Sequence, residues 1–301
     1  MEIIKSKNYT YSEMTKGIRA LKETYPFIEV FSIGQSCMGR ELPAIKIGKS
    51  DKYCLYTAAF HGSESLTTSV MLLFCEELCK SLAENILLDG INTGSLLNDK
   101  GIIIVPRVNP DGCEISLCGA SAGGIYAKNI RRISGGDTLH WNSNLRGVDI
   151  NHNFSAGWQK LREMEKAAGI YGPSKTRYGG PYPESEPETS ALVCLCEKVN
   201  ISHAVAFHSQ GEVIYWRFGD KIPVRSQKIV ALMENLSGYK ADEPTGLAVG
   251  GGFKDWFIDT FNRPAFTVEL GLGENPLPET SAQEIYGKVR KMLTALPLIL
   301  T

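Results

Sequence analysis

Residues 53–64 read YCLYTAAFHGSE, an apolar run that ends in a histidine and, three residues later, a glutamate. Tyr53–Phe60 is predicted to be a buried strand, and apolar residues at helical spacing after Glu64 predict a helix behind it. In open α/β sheets, ligands bind at the carboxyl ends of the strands. This stretch therefore predicts an α/β sheet with ionisable groups at its binding edge.

Strands and helices alternate along the rest of the chain. Strands are predicted at 28–33, 42–48, 101–108, 202–207 and 265–270, and helices at 12–24, 188–199, 223–236 and 282–296, with Ser12 as a candidate helix cap. The pattern predicts a mixed, mostly parallel central sheet with helices on both faces, because an early hairpin precedes the alternating units.

The chain shows no internal repeat, low-complexity tract or linker, so residues 1–301 are expected to form a single domain. Residues 109–180 are rich in Gly, Ser and Asn and show little periodicity. Long segments of this kind in a compact domain are usually functional loops. We therefore expect part of the site to lie there.

Composition excludes several classes of protein. Apolar residues make up 43% of the chain and charged residues 22%, as in globular proteins, and the net charge of −1 gives no general attraction to nucleic acid or membranes. No segment reaches the ~18 consecutive apolar residues that span a bilayer, and the first residues lack the apolar core of an export signal. A cytoplasmic protein is expected, and its oligomeric state stays open.

The chain contains eight cysteines. A large chain without an export signal favours reduced thiols over disulfides. Cys75 and Cys79, like the pair at 194 and 196, lie in helical patterns beside apolar residues and are interpreted as small buried side chains. Cys113 and Cys118 are expected in a loop, with no assigned role.

Acid or imidazole side chains follow three of the predicted strands. His61 and Glu64 follow one, His208 follows another, and Glu269 ends a third. Two imidazoles and one carboxylate are ligands that zinc accepts, with a further position left open for water. Glu269 would then accept a proton from the attacking water and pass it to the leaving amine. Taken singly, each residue also has a structural explanation, and Glu269 could be a buried ion-pair partner.

Motifs across nearly the whole chain resemble the zinc carboxypeptidase family. They occur in the family's order: FSIGQSCMGR (31–40), HGSE (61–64), DINHNF (149–154), HSQ (208–210) and FTVEL (266–270). A finer similarity is to the bacterial γ-D-glutamyl–meso-diaminopimelate peptidases, through VPRVNPDG (105–112), WNSNLRGVDIN (141–151), HSQGEVIYW (208–216), GFKDWF (252–257) and GENPLP (273–278). The resemblance implies a zinc carboxypeptidase-like fold.

The resemblance also implies roles for individual residues. His61, Glu64 and His208 match the ligands of a zinc ion, and Glu269 matches the general base. Asp149 matches an acid that orients a ligand histidine, a common arrangement around metals. From the residues alone, an Asx-type turn is the alternative explanation for Asp149.

Several substrate-binding positions depart from the family pattern. Asn151 matches a residue that contacts the substrate's terminal carboxylate, but the neighbouring Arg of the family is His152 here. Imidazole cannot reproduce the bidentate grip of a guanidinium on a carboxylate. Asn142 stands nearest to the family's oxyanion-stabilising Arg. The remaining candidates for the missing charge are Arg131, Arg132 and Arg146.

The family's mobile tyrosine is also replaced, by Leu247-Ala248, which leaves Tyr215 or Tyr239 as substitutes. Lys254 matches the floor of the family's specificity pocket, where an ammonium would favour a side chain that ends in a carboxylate, as diaminopimelate does. The alternative is a surface lysine.

These similarities imply a zinc-dependent peptidase that cleaves the γ-D-glutamyl–meso-diaminopimelate bond of a soluble, cell-wall-derived peptide. Two alternatives stay open: an ordinary carboxypeptidase that removes C-terminal residues from L-peptides, and a catalytically inactive peptide-binding relative. A serine hydrolase is poorly supported because no G-x-S-x-G motif is present.

Overall fold

The computed structural model describes residues 2–299, so Met1, Leu300 and Thr301 of the predicted domain lie outside it. The strands are β1 (Glu29–Gln35), β2 (Glu41–Gly48), β3 (Tyr53–Ala58), β4 (Gly101–Val105), β5 (Ile201–His208), β6 (Val213–Tyr215), β7 (Lys240–Asp242) and β8 (Ala265–Glu269). The helices are α1 (Tyr11–Thr24), α2 (Leu66–Glu84), α3 (Pro110–Cys118), α4 (Ala127–Ser134), α5 (Trp158–Ala167), α6 (Pro187–Lys198), α7 (Ser226–Ser237), α8 (Phe253–Phe261) and α9 (Ala282–Ala295).

The strands form an eight-stranded sheet in the order β1-β2-β4-β3-β5-β8-β6-β7. The central pairs β4–β3, β3–β5 and β5–β8 are parallel, whereas β1–β2 and β2–β4 are antiparallel. The predicted mixed, mostly parallel sheet is confirmed, and so is the early hairpin. Because β3, β5 and β8 are parallel neighbours, their carboxyl ends meet at the same edge.

Helices cover both faces of the sheet. In β3, Cys54 and Tyr56 pack into one core with α1, α2, α7 and α9, whereas Leu55 packs into the other with α6 and α8. The β4 side chains at 102 and 104 face the first core, and those at 103 and 105 face the second. Burial on both faces explains why the central strands are almost continuously apolar.

The predicted loop at 109–180 is wrong in part, because α3, α4 and α5 lie within it. The side chain of Asn109 accepts a hydrogen bond from the Gly112 backbone, and Pro110 occupies the first turn of α3. Both features are typical of the start of a helix. The segment has few apolar residues at helical spacing, so the helix was not predicted. Cys113 and Cys118 therefore lie on a helix and not in a loop. All eight cysteines are free thiols in the structure.

Several element boundaries differ from the prediction. The cap of α1 is Thr10 and not Ser12, because Thr10 forms a reciprocal capping box with Glu13. β4 ends at Val105, before Pro106, which has no N–H to donate to the sheet. The sequence also did not predict β6, β7 and α8. Within residues 2–299, no helix is long and apolar enough to cross a bilayer.

Candidate metal centre

The carboxyl ends of β3, β5 and β8 open into a cavity of about 240 Å³. In the register of the sheet, His208 lies opposite Glu269, and Ala58, three residues before His61, lies opposite Phe207. The three strand ends predicted from the sequence therefore meet at one site. Predicted site residues that line the cavity include His61, Glu64, Asn142, Asp149, Asn151, His152, Lys254 and Glu269.

The side chains of His61, Glu64 and His208 converge on one point. Glu64 Oε1 lies 2.8 Å from His61 Nδ1, and Glu64 Oε2 lies 3.0 Å from His208 Nδ1. The two Nδ1 atoms are 3.3 Å apart. Two imidazole nitrogens face each other at this distance only if a proton or a metal ion lies between them. The donor set of two nitrogens and a carboxylate fits zinc.

The charges in this cluster are strongly coupled. Burial would lower the pKa of His61, but the charges of Glu64 and Asp149 outweigh it and raise the pKa well above its usual value. Burial would raise the pKa of Glu64, but His61 and His208 lower it to about 2. The cluster therefore holds a positive charge between its carboxylates, which a bound cation would replace.

Asp149 joins the cluster to a neighbouring segment. Its Oδ1 lies 3.1 Å from His61 Nε2, on the side of the ring away from Glu64. Its Oδ2 accepts a hydrogen bond of 2.9 Å from the backbone N–H of Arg177. The carboxylate is buried and sets the orientation of the His61 ring, as acids beside metal-binding histidines commonly do. Oδ1 also accepts from the Asn151 backbone, so the Asx-type turn is present as well.

Glu269 ends β8 beside His208, partly buried at the cavity wall. Burial first, and the charge of Glu64 second, raise the pKa of Glu269 to about 8. A bound cation would lower this pKa again, since a nearby opposite charge favours the ionised carboxylate. The position suits a group that exchanges a proton with water in the cavity.

The predicted substrate-binding residues differ in how far they are already engaged. The Asn151 amide oxygen accepts a hydrogen bond from the Phe253 backbone at 3.0 Å, which turns its NH₂ group elsewhere. His152 Nδ1 lies 2.8 Å from Glu165. Asn142 accepts a hydrogen bond of 2.5 Å from the Ser63 hydroxyl and brings no charge to the cavity.

Lys254 is not a surface lysine, because its side chain is only 5% exposed and lines the cavity. Its ammonium donates to the Arg217 carbonyl at 2.6 Å and is paired with the carboxylate of Asp255. An ammonium has three N–H donors, so one is left for a ligand. Part of its charge is nevertheless neutralised by Asp255.

Most of the other sequence candidates lie away from the cavity. The guanidinium of Arg146 is about half exposed and lies 3.6 Å from Glu186, so the structure does not bring Arg146 to the site. Arg131 and Arg132 are exposed on α4, outside the cavity. Tyr239 is buried and its hydroxyl accepts from Gly271, whereas Tyr215 does line the cavity.

Two residues important for the geometry were not predicted. Asn109 is fully buried, and its amide donates to the carbonyls of Phe60, Asn142 and Ser143, which ties the end of β3 to the loop at 142–143. Its position in the NPDG sequence, at a helix cap, was the available signal. Arg177 lines the cavity, and no sequence pattern pointed to it.

Comparison with known proteins agrees with this geometry. The sequence profile of the Peptidase M14 family, described as zinc carboxypeptidase, matches residues 14–291. Over 287 residues the chain is 37% identical to gamma-D-glutamyl-L-diamino acid endopeptidase 1 of Lysinibacillus sphaericus. The aligned region covers 93% of this chain and 70% of that protein. The chain belongs to the zinc carboxypeptidase family.

Further zinc carboxypeptidase relatives extend the comparison. The chain is 33% identical over 295 residues to the uncharacterized protein YqgT of Bacillus subtilis, covering 97% of this chain and 77% of that protein. The crystal structure of carboxypeptidase A from Helicoverpa armigera superposes with a TM-score of 0.74 at 18% identity, covering 98% and 74% of the two chains. The family resemblance and the fold expected from the sequence are thus confirmed, and the chain is a metallopeptidase.

Proposed function

We propose that this zinc carboxypeptidase relative hydrolyses the γ-D-glutamyl–meso-diaminopimelate bond of peptidoglycan-derived peptides. The convergence of His61, Glu64 and His208 beside Glu269 carries the catalytic part of the proposal. The Lysinibacillus relative, a γ-D-glutamyl-L-diamino acid endopeptidase by name, supports the choice of substrate. We further propose that residues 1–301 act as one catalytic domain. The cytoplasmic location stays a prediction.

In the proposed mechanism, His61 Nδ1, the Glu64 carboxylate and His208 Nδ1 would hold one zinc ion. Zinc at this position supplies a Lewis acid that polarises the scissile carbonyl and acidifies water. Asp149 keeps the His61 ring turned toward Glu64 through the contact with Nε2. Glu269 accepts a proton from the attacking water and delivers it to the amine of the leaving diamino acid.

The proposed substrate contacts follow from the polar groups that line the cavity. The free NH₂ group of Asn151 would donate to a carboxylate of the diamino acid. Glu165 accepts the proton on Nδ1 of His152, so Nε2 would donate to the substrate only from the imidazolium form and would otherwise accept a hydrogen bond. The remaining N–H of Lys254 would reach the carboxylate at the far end of diaminopimelate. Asn142 would contribute a neutral polar contact only.

The test is product analysis by mass spectrometry. L-Ala-γ-D-Glu-meso-diaminopimelate should yield L-Ala-D-Glu and free diaminopimelate, and a thorough chelator treatment should abolish the reaction. The Glu269→Gln variant should bind zinc normally but lose about 10²- to 10⁴-fold in kcat. Glu284→Gln makes the same chemical change on the exposed face of α9 and should leave the rate unchanged.

Other results would reject the proposal. Cleavage of C-terminal residues from plain L-peptides, with the tripeptide left intact, would indicate an ordinary carboxypeptidase. Binding of the tripeptide without turnover in the zinc-loaded protein would indicate an inactive relative. Full activity after chelation would contradict the metal mechanism itself.

A further inference from the structure

Arg177 carries a guanidinium at the cavity that forms no ion pair or hydrogen bond with any side chain in residues 2–299. The other basic residues that line the same cavity are engaged, since Lys254 is paired with Asp255 and His152 contacts Glu165. Arg177 is exposed, so its charge is available to a ligand that enters from solvent.

The backbone of Arg177 is fixed although its side chain is free. Its φ angle is +63°, a left-handed conformation that is unfavourable for a long L side chain. The N–H donates to Asp149 Oδ2 at 2.9 Å, and the next carbonyl, of Tyr178, accepts from the Asp149 N–H at 2.7 Å. The carbonyl of Lys175 accepts from the Asn142 N–H at 2.8 Å. Segment 175–178 therefore holds Arg177 between Asp149 and Asn142.

The charge of the cavity explains why a guanidinium is needed there. Carboxylates of Glu64, Asp149, Asp255 and Glu269 line it, and a divalent ion at the metal site together with Lys254 would offset most but not all of their charge. Neither Asn142 nor His152 supplies a permanent positive charge. A guanidinium binds a carboxylate through two parallel hydrogen bonds and stays charged at every physiological pH.

We propose that Arg177 is a specificity-determining residue that binds, at the rim of the cavity, either the glutamyl α-carboxylate or the far carboxylate of diaminopimelate. The inference rests on the proposed function, because it takes the substrate to be a peptide with carboxylates beside the scissile bond. Its side chain is exposed and not held in place, so it acts in substrate binding and not on the developing oxyanion. Loss of the guanidinium should therefore raise KM and leave kcat nearly unchanged.

The experiment compares wild type and Arg177→Met on three peptides. They are the tripeptide with meso-diaminopimelate, the same tripeptide with the glutamyl α-carboxylate converted to an amide, and the tripeptide with lysine in place of diaminopimelate. For the first peptide KM should rise about 10- to 100-fold, as expected for loss of a hydrogen-bonded charge pair. The KM effect should vanish with whichever peptide lacks the bound carboxylate, which identifies the group.

The controls separate this role from a structural one. Arg131→Met removes an exposed guanidinium from α4, outside the cavity, and should leave both constants unchanged. Arg177→Lys should restore part of the affinity. Urea unfolding should give the same midpoint for Arg177→Met and wild type, because the native guanidinium has no partner to lose.

Each remaining outcome overturns the inference in a recognisable way. If wild type cleaves the tripeptide and Arg177→Met has the same KM, Arg177 does not bind the substrate, and the proposed function is unaffected. A fall in kcat alone, or an equal KM effect on all three peptides, would assign Arg177 another role. A wild-type enzyme that cleaves none of the three peptides would overturn the proposed function, and the inference with it.

Discussion

His203 is a buried histidine near the start of β5, at the end of the strand that lies away from the cavity. Its side chain is only 1% exposed, and its ring nitrogens contact the Leu296 carbonyl at 3.1 Å and the Ser202 hydroxyl at 2.9 Å. Burial lowers the pKa of His203 from 6.5 to about 4, although the bond to Leu296 opposes the shift. We predict that this residue makes the fold acid-sensitive.

The sign follows from proton uptake in the two states. Between pH 6.5 and 4 the unfolded imidazole takes up a proton and the folded one does not, so stability falls as the pH falls. At pH 5 this linkage costs about 2 kcal/mol of unfolding free energy, and the loss reaches about 3 kcal/mol below pH 4. Above pH 7 both states are neutral, and the residue makes no pH-dependent contribution.

The assay is urea unfolding of the metal-free protein at pH 7.5 and 5.0, for wild type and His203→Gln. Glutamine keeps an N–H donor near the Leu296 carbonyl but does not titrate. The loss of stability between the two pH values should be smaller in the variant by about 2 kcal/mol. If wild type and His203→Gln lose equal stability, the reasoning fails.

Two further predictions concern the metal centre. A Cβ on Gly62 would lie 2.3 Å from the Trp141 carbonyl oxygen and 2.4 Å from that of Gly112, so Gly62→Ala must displace the turn between His61 and Glu64. Zinc affinity, measured by chelator competition, should fall at least about 10-fold in this variant. The control is Gly287→Ala, at an exposed and uncrowded position in α9, which should leave zinc affinity unchanged and stabilise the fold by ~1 kcal/mol. Asp149→Asn should weaken zinc binding about 10- to 100-fold in the same assay. It should also destabilise the metal-free protein, because it removes the charge beside the His61 ring. Unchanged zinc affinity in either variant would contradict the geometry.

The sequence predicted the parts of the site that stand at strand ends. His61, His208 and Glu269 each follow or end an apolar run that is predicted to be a strand. Neighbouring parallel strands have their carboxyl ends at the same edge of a sheet, so the strand assignment alone predicts that these residues lie close together. Glu64 followed because it lies on the turn directly after His61. The helices α4 and α5 were missed because they are short and largely polar, with few buried side chains to set a period.

The substrate side could not be predicted in the same way. Arg177 reaches the cavity through backbone hydrogen bonds to Asp149, a contact between segments 28 residues apart. Arg146, only three residues from Asp149, points instead toward Glu186. Proximity along the chain therefore indicated an arginine that lies outside the cavity, because the path of the loop depends on long-range contacts such as those of Asn109.

The two-sided burial of the central strands also protects the register of the active site. Phe207 belongs to one core and Ala206 to the other, one and two residues before His208. A one-residue slip of β5 would place Ala206 where Phe207 packs in one core, or Phe207 where Ala206 packs in the other, depending on its direction, and would move His208 away from Glu269. Packing in both hydrophobic cores therefore fixes the alignment of the catalytic strand ends. A shifted strand would disrupt the packing on both faces of the sheet.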